Sequence, residues 1–378
     1  MSYSANGYRN NTAQIGRQAH PDVLTNIIAQ RIVALGMSKD NYFRGDINST
    51  LGNKVILVTG QMSSSNLPTE SEMQSAVLDA IESAGYMRNG TYDPSQRQVL
   101  VDIDGQSPNI SHSVGNGGAG DTVVKHGFAT NTTKELLPLP HILAKEIAHR
   151  LDLAFRDYEI EGLGPDGKIN VRIKHGNGNP EYASGVVVAA QHYHGTDLED
   201  FREEITGRVV IPALGRWYHP FETEIVINGA GLFEHAGPVT DRGAKGKKDA
   251  DSTYGDSSRH TGGSSYGKDP TKVDFHALVS ARHIAKSIVA SGLAENIEVR
   301  LGYRIGGEQP WVLEFDTFGT GRIRNGELEA LVRKNFPLAP KEVIAELDLR
   351  QPWIYPLTAT EHFFGNQEFP WENVKQLK

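Results

Sequence analysis

From Asp241 to Asp274 the chain runs for more than thirty positions with almost no aliphatic side chain: DRGAKGKKDADSTYGDSSRHTGGSSYGKDPTKVD. A polar, glycine-studded stretch of this length inside a globular chain is either functional or disordered. Its bases are Arg242, Lys245, Lys247, Lys248, Arg259, Lys268 and Lys272. They outnumber the acids Asp241, Asp249, Asp251, Asp256, Asp269 and Asp274, although the formal net charge of the chain is −8. Ammonium groups, glycines that admit backbone N–H groups and carboxylates for a hard cation together suit a polyphosphate. A solvated surface loop is the alternative that the residues alone leave open. Gly262 to Lys268 spells G-x-x-x-x-G-K, yet Asp269 stands where a P-loop needs Ser or Thr, and no apolar strand precedes it. A P-loop NTPase fold is excluded.

A length of 378 residues predicts two or three domains with ample core. With 38% hydrophobic residues, no apolar run reaches the length of a membrane span. The opening MSYSANGYRNNTAQ lacks a basic, then apolar, secretory pattern, and there are no cysteines. Disulfides and Cys-ligated zinc are thereby excluded, and a cytoplasmic location is expected. Mild acidity, with the bases gathered in one loop, argues against a nucleic-acid partner. His192-Tyr193-His194 reads as a surface turn, because no third metal ligand stands at suitable spacing.

Leu24, Ile27, Ile28, Ile32 and Leu35 carry the spacing of an amphipathic helix, with Pro21 suited to its first position. His20 and Asp22 would then sit at its positive end, as anion ligands or as plain caps. Lys54–Thr59 reads as a buried strand. Thr69-x-x-Glu72 is a capping box for a helix lined by Met73, Ala76, Val77, Ala80, Ile81 and Ala84 and stopped at Gly85. Gln98–Ile103 is a further strand. The glycine-rich stretch 106–121 contains Gly115-x-Gly117-x-x-Gly120 without the strand and helix of a dinucleotide site, so a mobile lid is expected there.

A helix from Pro140, a turn at Pro165–Lys168, strands at 169–173, 185–190 and 224–227 and a helix at 198–205 make a second block. After the polar loop come a helix with Leu278, Ala281, Ala285 and Ile288 on one face and strands at 298–302 and 311–315. The fold class expected is α+β, or mixed α/β. It comprises three similarly built domains in a pseudo-threefold arrangement, each a small sheet with helices on one face. The boundaries expected are 1–110, 111–230 and 231–378, with the glycine-rich lid at the start of the second.

Several segments taken in order resemble the S-adenosylmethionine synthetases. They are His20-Pro21-Asp22, Gln106-Ser107-Pro108, Gly118-Ala119-Gly120-Asp121, Asp166-Gly167-Lys168, Gly237-Pro238-Val239-x-Asp241, Gly246-Lys247-Lys248, the run from Gly267 to Asp274, Asp316–Gly321 and Phe369-Pro370-Trp371-Glu372. The run GKDP-x-K-VD is highly specific, whereas HPD and DGK singly are not. The resemblance implies transfer of the adenosyl group of ATP to the thioether sulfur of methionine, with tripolyphosphate expelled and then hydrolysed. It implies a dimer with active sites between subunits, often paired into a tetramer.

Carried over motif by motif, the resemblance makes His20, Lys168 and Lys268 catalytic. ATP and its phosphates fall to Asp121, Asp166, Phe233 (stacked on adenine), Asp241, Lys247, Lys248, Ser264, Lys268 and Lys272. Methionine falls to Gln106, Asp241 and Lys272, and two Mg²⁺ ions to Asp22 and Asp274. Five departures accompany it. Val23 replaces a lysine after His-Pro-Asp, Lys247 replaces an arginine, and Leu232 replaces the arginine before Phe233. Leu67 stands where a Glu pairs the methionine amino group, with Glu70 nearby. Lys54 stands at the family's potassium-binding Glu, so an enzyme insensitive to K⁺ is expected. Two alternatives accompany the main reading: a diverged homologue that uses the ATP site with another thioether or nucleophile, and a non-catalytic ATP-binding paralogue.

Overall fold

The computed structural model describes residues 9–106, 117–176 and 179–377. Three small sheets carry the fold, each covered by helices on one face. The first has the order β4-β3-β2-β9 and is formed by β2 (Arg44–Leu51), β3 (Val55–Ser63), β4 (Gln98–Gly105) and β9 (Gly243–Ala244). Helices α1 (Pro21–Lys39) and α2 (Glu70–Ser83) cover it. The second has the order β1-β6-β7-β8 and combines β1 (Arg9–Gly16), β6 (Leu163–Gly176), β7 (Asn179–His192) and β8 (Glu224–Ile227). It packs on α3 (Leu139–Arg156) and on the helix α4 (Leu198–Glu204) with the π turn Ile205–Val210 that continues it. The third, β11-β10-β5, contains β5 (Val123–Thr130), β10 (Asn296–Tyr303) and β11 (Val312–Asp316), and lies on α5 (Val273–Ala290). Helices α6 (Asn325–Asn335), α7 (Pro340–Glu346) and α8 (Ile354–Thr360) follow. The mixed α+β class expected from the sequence is the one observed.

Local chemistry accounts for the helix starts. Thr69 Oγ1 accepts from Glu72 N at 3.3 Å, while Thr69 N donates to Glu72 Oε2 at 2.7 Å, closing the capping box. Gly85, at φ 86, ends the turn after α2 in a conformation that other residues rarely adopt. Of the elements named above, those overlooked in the sequence are β1, β2, β5, β9, α6, α7 and α8. The motif Pro165–Lys168 is also corrected. It lies inside β6 as an irregularity between Leu163 and Gly167, because its backbone continues to pair with Ala189 and Ala190 of β7.

Helices α1 and α5 are surrounded. Every residue from Val273 to Val289 is buried, as is most of α1, which lies between the first sheet and α8. Helices packed on all sides hold their first turns in fixed positions, and those first turns carry the polar groups described next. No helix among the described residues is long and apolar enough to cross a membrane.

Candidate active site

Arg17 fixes the entry to α1. Its guanidinium is fully buried, pairs with Asp152 at 2.7 Å and donates to the carbonyls of Gly164 at 2.6 Å and Leu151 at 3.1 Å. The Tyr86 hydroxyl donates to Ala19 O at 2.5 Å. His20 is thereby held as the N-cap, with Nδ1 accepting from Asp22 N at 3.2 Å. An accepting Nδ1 puts the proton of the neutral ring on Nε2. Asp22 is buried in the first turn, where the helix dipole stabilises its negative charge.

The polar segment 241–274 is ordered along α1 and β2. Gly243 and Ala244 pair with Leu51 and Thr50. Ala244 N donates to Asp22 Oδ1 at 3.1 Å, and Gly246 N donates to Asn26 Oδ1 at 2.9 Å. Lys247 and Lys248 approach the Asp22 carboxylate at 3.3 and 3.9 Å. His20, Asp22 and Asp241 each offer a ligand atom within 4.8 Å of the others. Asp166 lies beside this group, with its carboxylate receiving Gly167 N at 2.7 Å and Gly237 N at 2.8 Å. Burial pushes its pKa up, against the pull of His20 and of those two bonds. Asp251 accepts from Gln14 Nε2 at 2.9 Å, and its carboxyl feels Lys248, Lys168 and His20. Lys168, opposite Gly16 in the β1–β6 ladder, is half-buried.

A second group forms at the start of α5. Gly267 N donates to Gln30 Oε1 at 2.9 Å, Ile47 N donates to Gly267 O at 2.7 Å, and Lys268 bridges to Asp46 of β2. Asp269 accepts Gly45 N at 2.9 Å and Thr271 N at 2.8 Å. On this backbone Lys268 Nζ meets Asp274 Oδ2, while Lys125 Nζ lies 2.8 Å from Asp274 Oδ1. Burial opposes ionisation of Asp274, but Lys125 and Lys268 outweigh it and hold its pKa below the ordinary range. Lys245 turns the same way, 3.7 Å from Asp46 and 3.2 Å from Tyr266 O, and burial depresses its pKa. Ser264 donates to Asp249 Oδ1 at 3.3 Å, and burial raises the Asp249 carboxyl to about 6.

The structure therefore sorts the expected residues into two groups. His20, Asp22, Asp166, Lys168, Asp241, Lys247 and Lys248 gather at the first turn of α1. Lys268, Asp274 and Ser264 gather at that of α5, with Lys272 as the α5 N-cap. Among the described residues no ion pair joins the two groups, and the segment 244–249 runs between them. Asp121 is exposed, accepts Thr122 N at 2.6 Å, and its field reaches Lys268. Gln106 N donates to Met62 O at 3.1 Å, so it leaves the sheet at the end that carries Asp46 and Lys268. The rest of the expected lid, 107–116, lies outside the described residues.

Phe233 is half-buried and is fixed through its backbone, donating to His192 Nε2 at 2.9 Å. His192 is thus a buried anchor, which corrects the surface turn expected for His192-Tyr193-His194. Leu67 is 46% exposed, and the Glu70 carboxylate accepts from Gln74 Nε2 at 3.1 Å. Lys54 is exposed in the turn before β3, at the end of that strand remote from Asp46. Sequence reasoning missed Lys125, Asp46 and Asn26. Each lies within a regular element, where its residue type carries no local signal, and only folding brings it to the site.

Oxygen ligands suit Mg²⁺. Asp22 and Asp241, close together beside cationic side chains, fit such an ion and the phosphates it would accompany. Both oxygens of Asp274 already face ammonium groups. Comparison with known proteins gives two matches. Residues 116–233 match the family model described as S-adenosylmethionine synthetase, central domain. Residues 235–373 match the one described as S-adenosylmethionine synthetase, C-terminal domain, and together the two take in more than half of the chain.

Proposed function

The chain belongs to the S-adenosylmethionine synthetase family, and from that premise we propose that it is a methionine adenosyltransferase acting on ATP and L-methionine. The thioether sulfur attacks C5′ of ATP, a sulfur–carbon bond forms, and the C5′–oxygen bond breaks with its electron pair on the departing tripolyphosphate. A thioether has no proton to lose, so the sulfonium product needs no general base. The requirement falls on the leaving group, whose about four negative charges must be met by fixed positive groups.

The observation that carries this reading is the first turn of α1. His20, with its Nε2 proton free to donate, stands beside Asp22 and Asp241 within 4.8 Å, and Lys247 and Lys248 flank them. His20 donates to the bridging oxygen as it leaves C5′. Lys168, Lys247 and Lys248 meet the phosphates from one side and Lys268 and Lys272 from the other. Bound at Asp22 and Asp241, Mg²⁺ would supply charge neutralisation to the phosphate oxygens. Asp166 and Ser264 hold the surrounding backbone, Phe233 packs on adenine, and Gln106 and Asp121 serve the methionine end and the ATP. The two groups complete one site across a dimer interface, the expected assembly. Hydrolysis of tripolyphosphate then clears the site. The test is incubation with ATP, MgCl₂ and methionine, followed by mass detection of the sulfonium product. Its absence, with ATP binding intact, would reject the assignment.

The location of Leu67 and the pairing of Glu70 with Gln74 favour a second reading, in which the acceptor is a thioether without the ordinary α-ammonium contact. A buried ammonium left unpaired is costly. A kcat/KM for methionine equal to or above those of its S-alkyl and carboxyl analogues would remove this reading.

A further inference from the structure

Lys125 lies on β5, outside every motif that carries the family resemblance, and is 2% exposed. Its backbone faces Leu301 in the β5–β10 ladder, so its stem is fixed by the third sheet. Its ammonium sits 2.8 Å from Asp274 Oδ1 and donates to Gly263 O at 2.5 Å. Gly263 has φ +87, and a Cβ there would strike the Asp274 carboxylate, so the loop passes the pair as closely as glycine permits. The second oxygen, Oδ2, faces Lys268, whose ammonium also lies 3.8 Å from Asp46. Near Asp274, Asp249 is occupied by Ser264 Oγ and Ser265 N.

These residues do not fit a divalent ion. Mg²⁺ demands near-octahedral oxygen ligands at about 2.0–2.1 Å and keeps several waters. At Asp274 it would displace an ammonium from each oxygen and leave the buried Lys125 facing a double positive charge at short range. Repulsion of that kind in a poorly solvated site is strong even at an effective dielectric of about 20. Lys247 and Lys248, by contrast, stand 3.3 and 3.9 Å from Asp22 on side chains that reach solvent and can turn away. The pair Lys125–Lys268 already delivers two positive charges to the carboxylate.

We propose that the Lys125 ammonium takes the place of a divalent ion at Asp274, so that each active site uses one Mg²⁺, held at Asp22 and Asp241. Lys125, and not the exposed Lys54, is the built-in cation of this enzyme. Lys268, partly exposed beside it, is left to contact the phosphates. The proposal deepens the adenosyltransferase reading and rests on it.

The probe is Mn²⁺ with saturating inorganic tripolyphosphate, counted from the free Mn²⁺ paramagnetic resonance signal against a protein-free tripolyphosphate blank. The full chain is expected to retain one protein-dependent Mn²⁺ per polypeptide. Asp274→Asn keeps that count, Asp22→Asn loses it, and Lys125→Met, checked for folding by its thermal melt, gains a second ion. Two ions in the unaltered protein, or loss of one in Asp274→Asn, overturns the proposal even if Lys125→Met fails to fold, and leaves the adenosyltransferase reading standing. Failure to bind tripolyphosphate in any form overturns both.

Discussion

Asn26 Oδ1 receives the Gly246 N–H at 2.9 Å, and through this bond the second turn of α1 sets the path of the segment bearing Lys245, Lys247 and Lys248. Lys245 faces one group of site residues and its two neighbours face the other. Asn26→Ala leaves the Gly246 N–H without its partner, at a cost of about 1–3 kcal/mol. The expected kinetic signature is a rise in the KM for ATP of about tenfold, with a smaller change for methionine. Steady-state kinetics with each substrate varied in turn checks this. Equal effects on both constants would mean that the bond does not position the lysines.

His20 is a helix cap and, in the mechanism proposed, the donor to the leaving oxygen. His20→Asn separates the two roles, because Asn caps well. Thermal stability is expected to hold while kcat falls by about 10²–10³, the usual loss on removing one preorganised donor. Retention of kcat would transfer the leaving-group role to the lysines alone.

Gly267 adopts φ +68, and a Cβ there would collide with the Ile47 carbonyl oxygen. Alanine would displace a peptide that donates to Gln30 Oε1 at 2.9 Å and whose carbonyl accepts Ile47 N at 2.7 Å. Gly267→Ala is expected to cost about 2–4 kcal/mol. Because Lys268 is the next residue, kcat/KM should fall with stability. Urea titration and activity at a temperature where the variant stays folded distinguish the two losses.

Acid should destabilise the protein through its buried imidazoles. Burial first, then Lys145 and Arg282, lower His141 from 6.5 to about 3, and burial lowers His276 to about 4. The unfolded chain takes up protons that the folded one refuses. Stability is therefore full above about pH 6.5 and declines as pH falls towards the folded values. From pH 8 to pH 5 the loss is about 2 kcal/mol for His141 alone. Urea melts at the two pH values should show this portion vanish in His141→Leu. An unchanged pH difference would show that His141 is not the group responsible.

The chain discloses the helices that open on a clear cap and carry a long apolar stripe, but not the shorter α6, α7 and α8. Thr69 and Glu72 announce α2, and Pro21 with the apolar spacing behind it announces α1, because caps and periodicity are local properties. Strand β2 reads RGDINSTL, whose polar residues mask an inward Ile47, Ser49 and Leu51. The Asp166-Gly167-Lys168 motif has turn composition, yet pairing with β7 holds it in a strand. At the site, residues inside compact motifs were legible. The Lys125–Asp274 pair was not, since its partners meet only when β5 is laid along α5.

Strand β1 pairs antiparallel with β6, from Gly16 opposite Lys168 to Arg9 opposite His175. A chain growing on the ribosome therefore makes this strand long before its partner exists. At about 5–20 residues per second the wait lasts roughly 10–30 seconds. Throughout that interval the residues just ahead of His20 have no ladder to join. Nascent polypeptides halted before residue 176 should leave this segment open to protease, and those halted well beyond it should protect it. The imidazole tip of α1 would thus settle only after β6 has been made, well after the helix behind it.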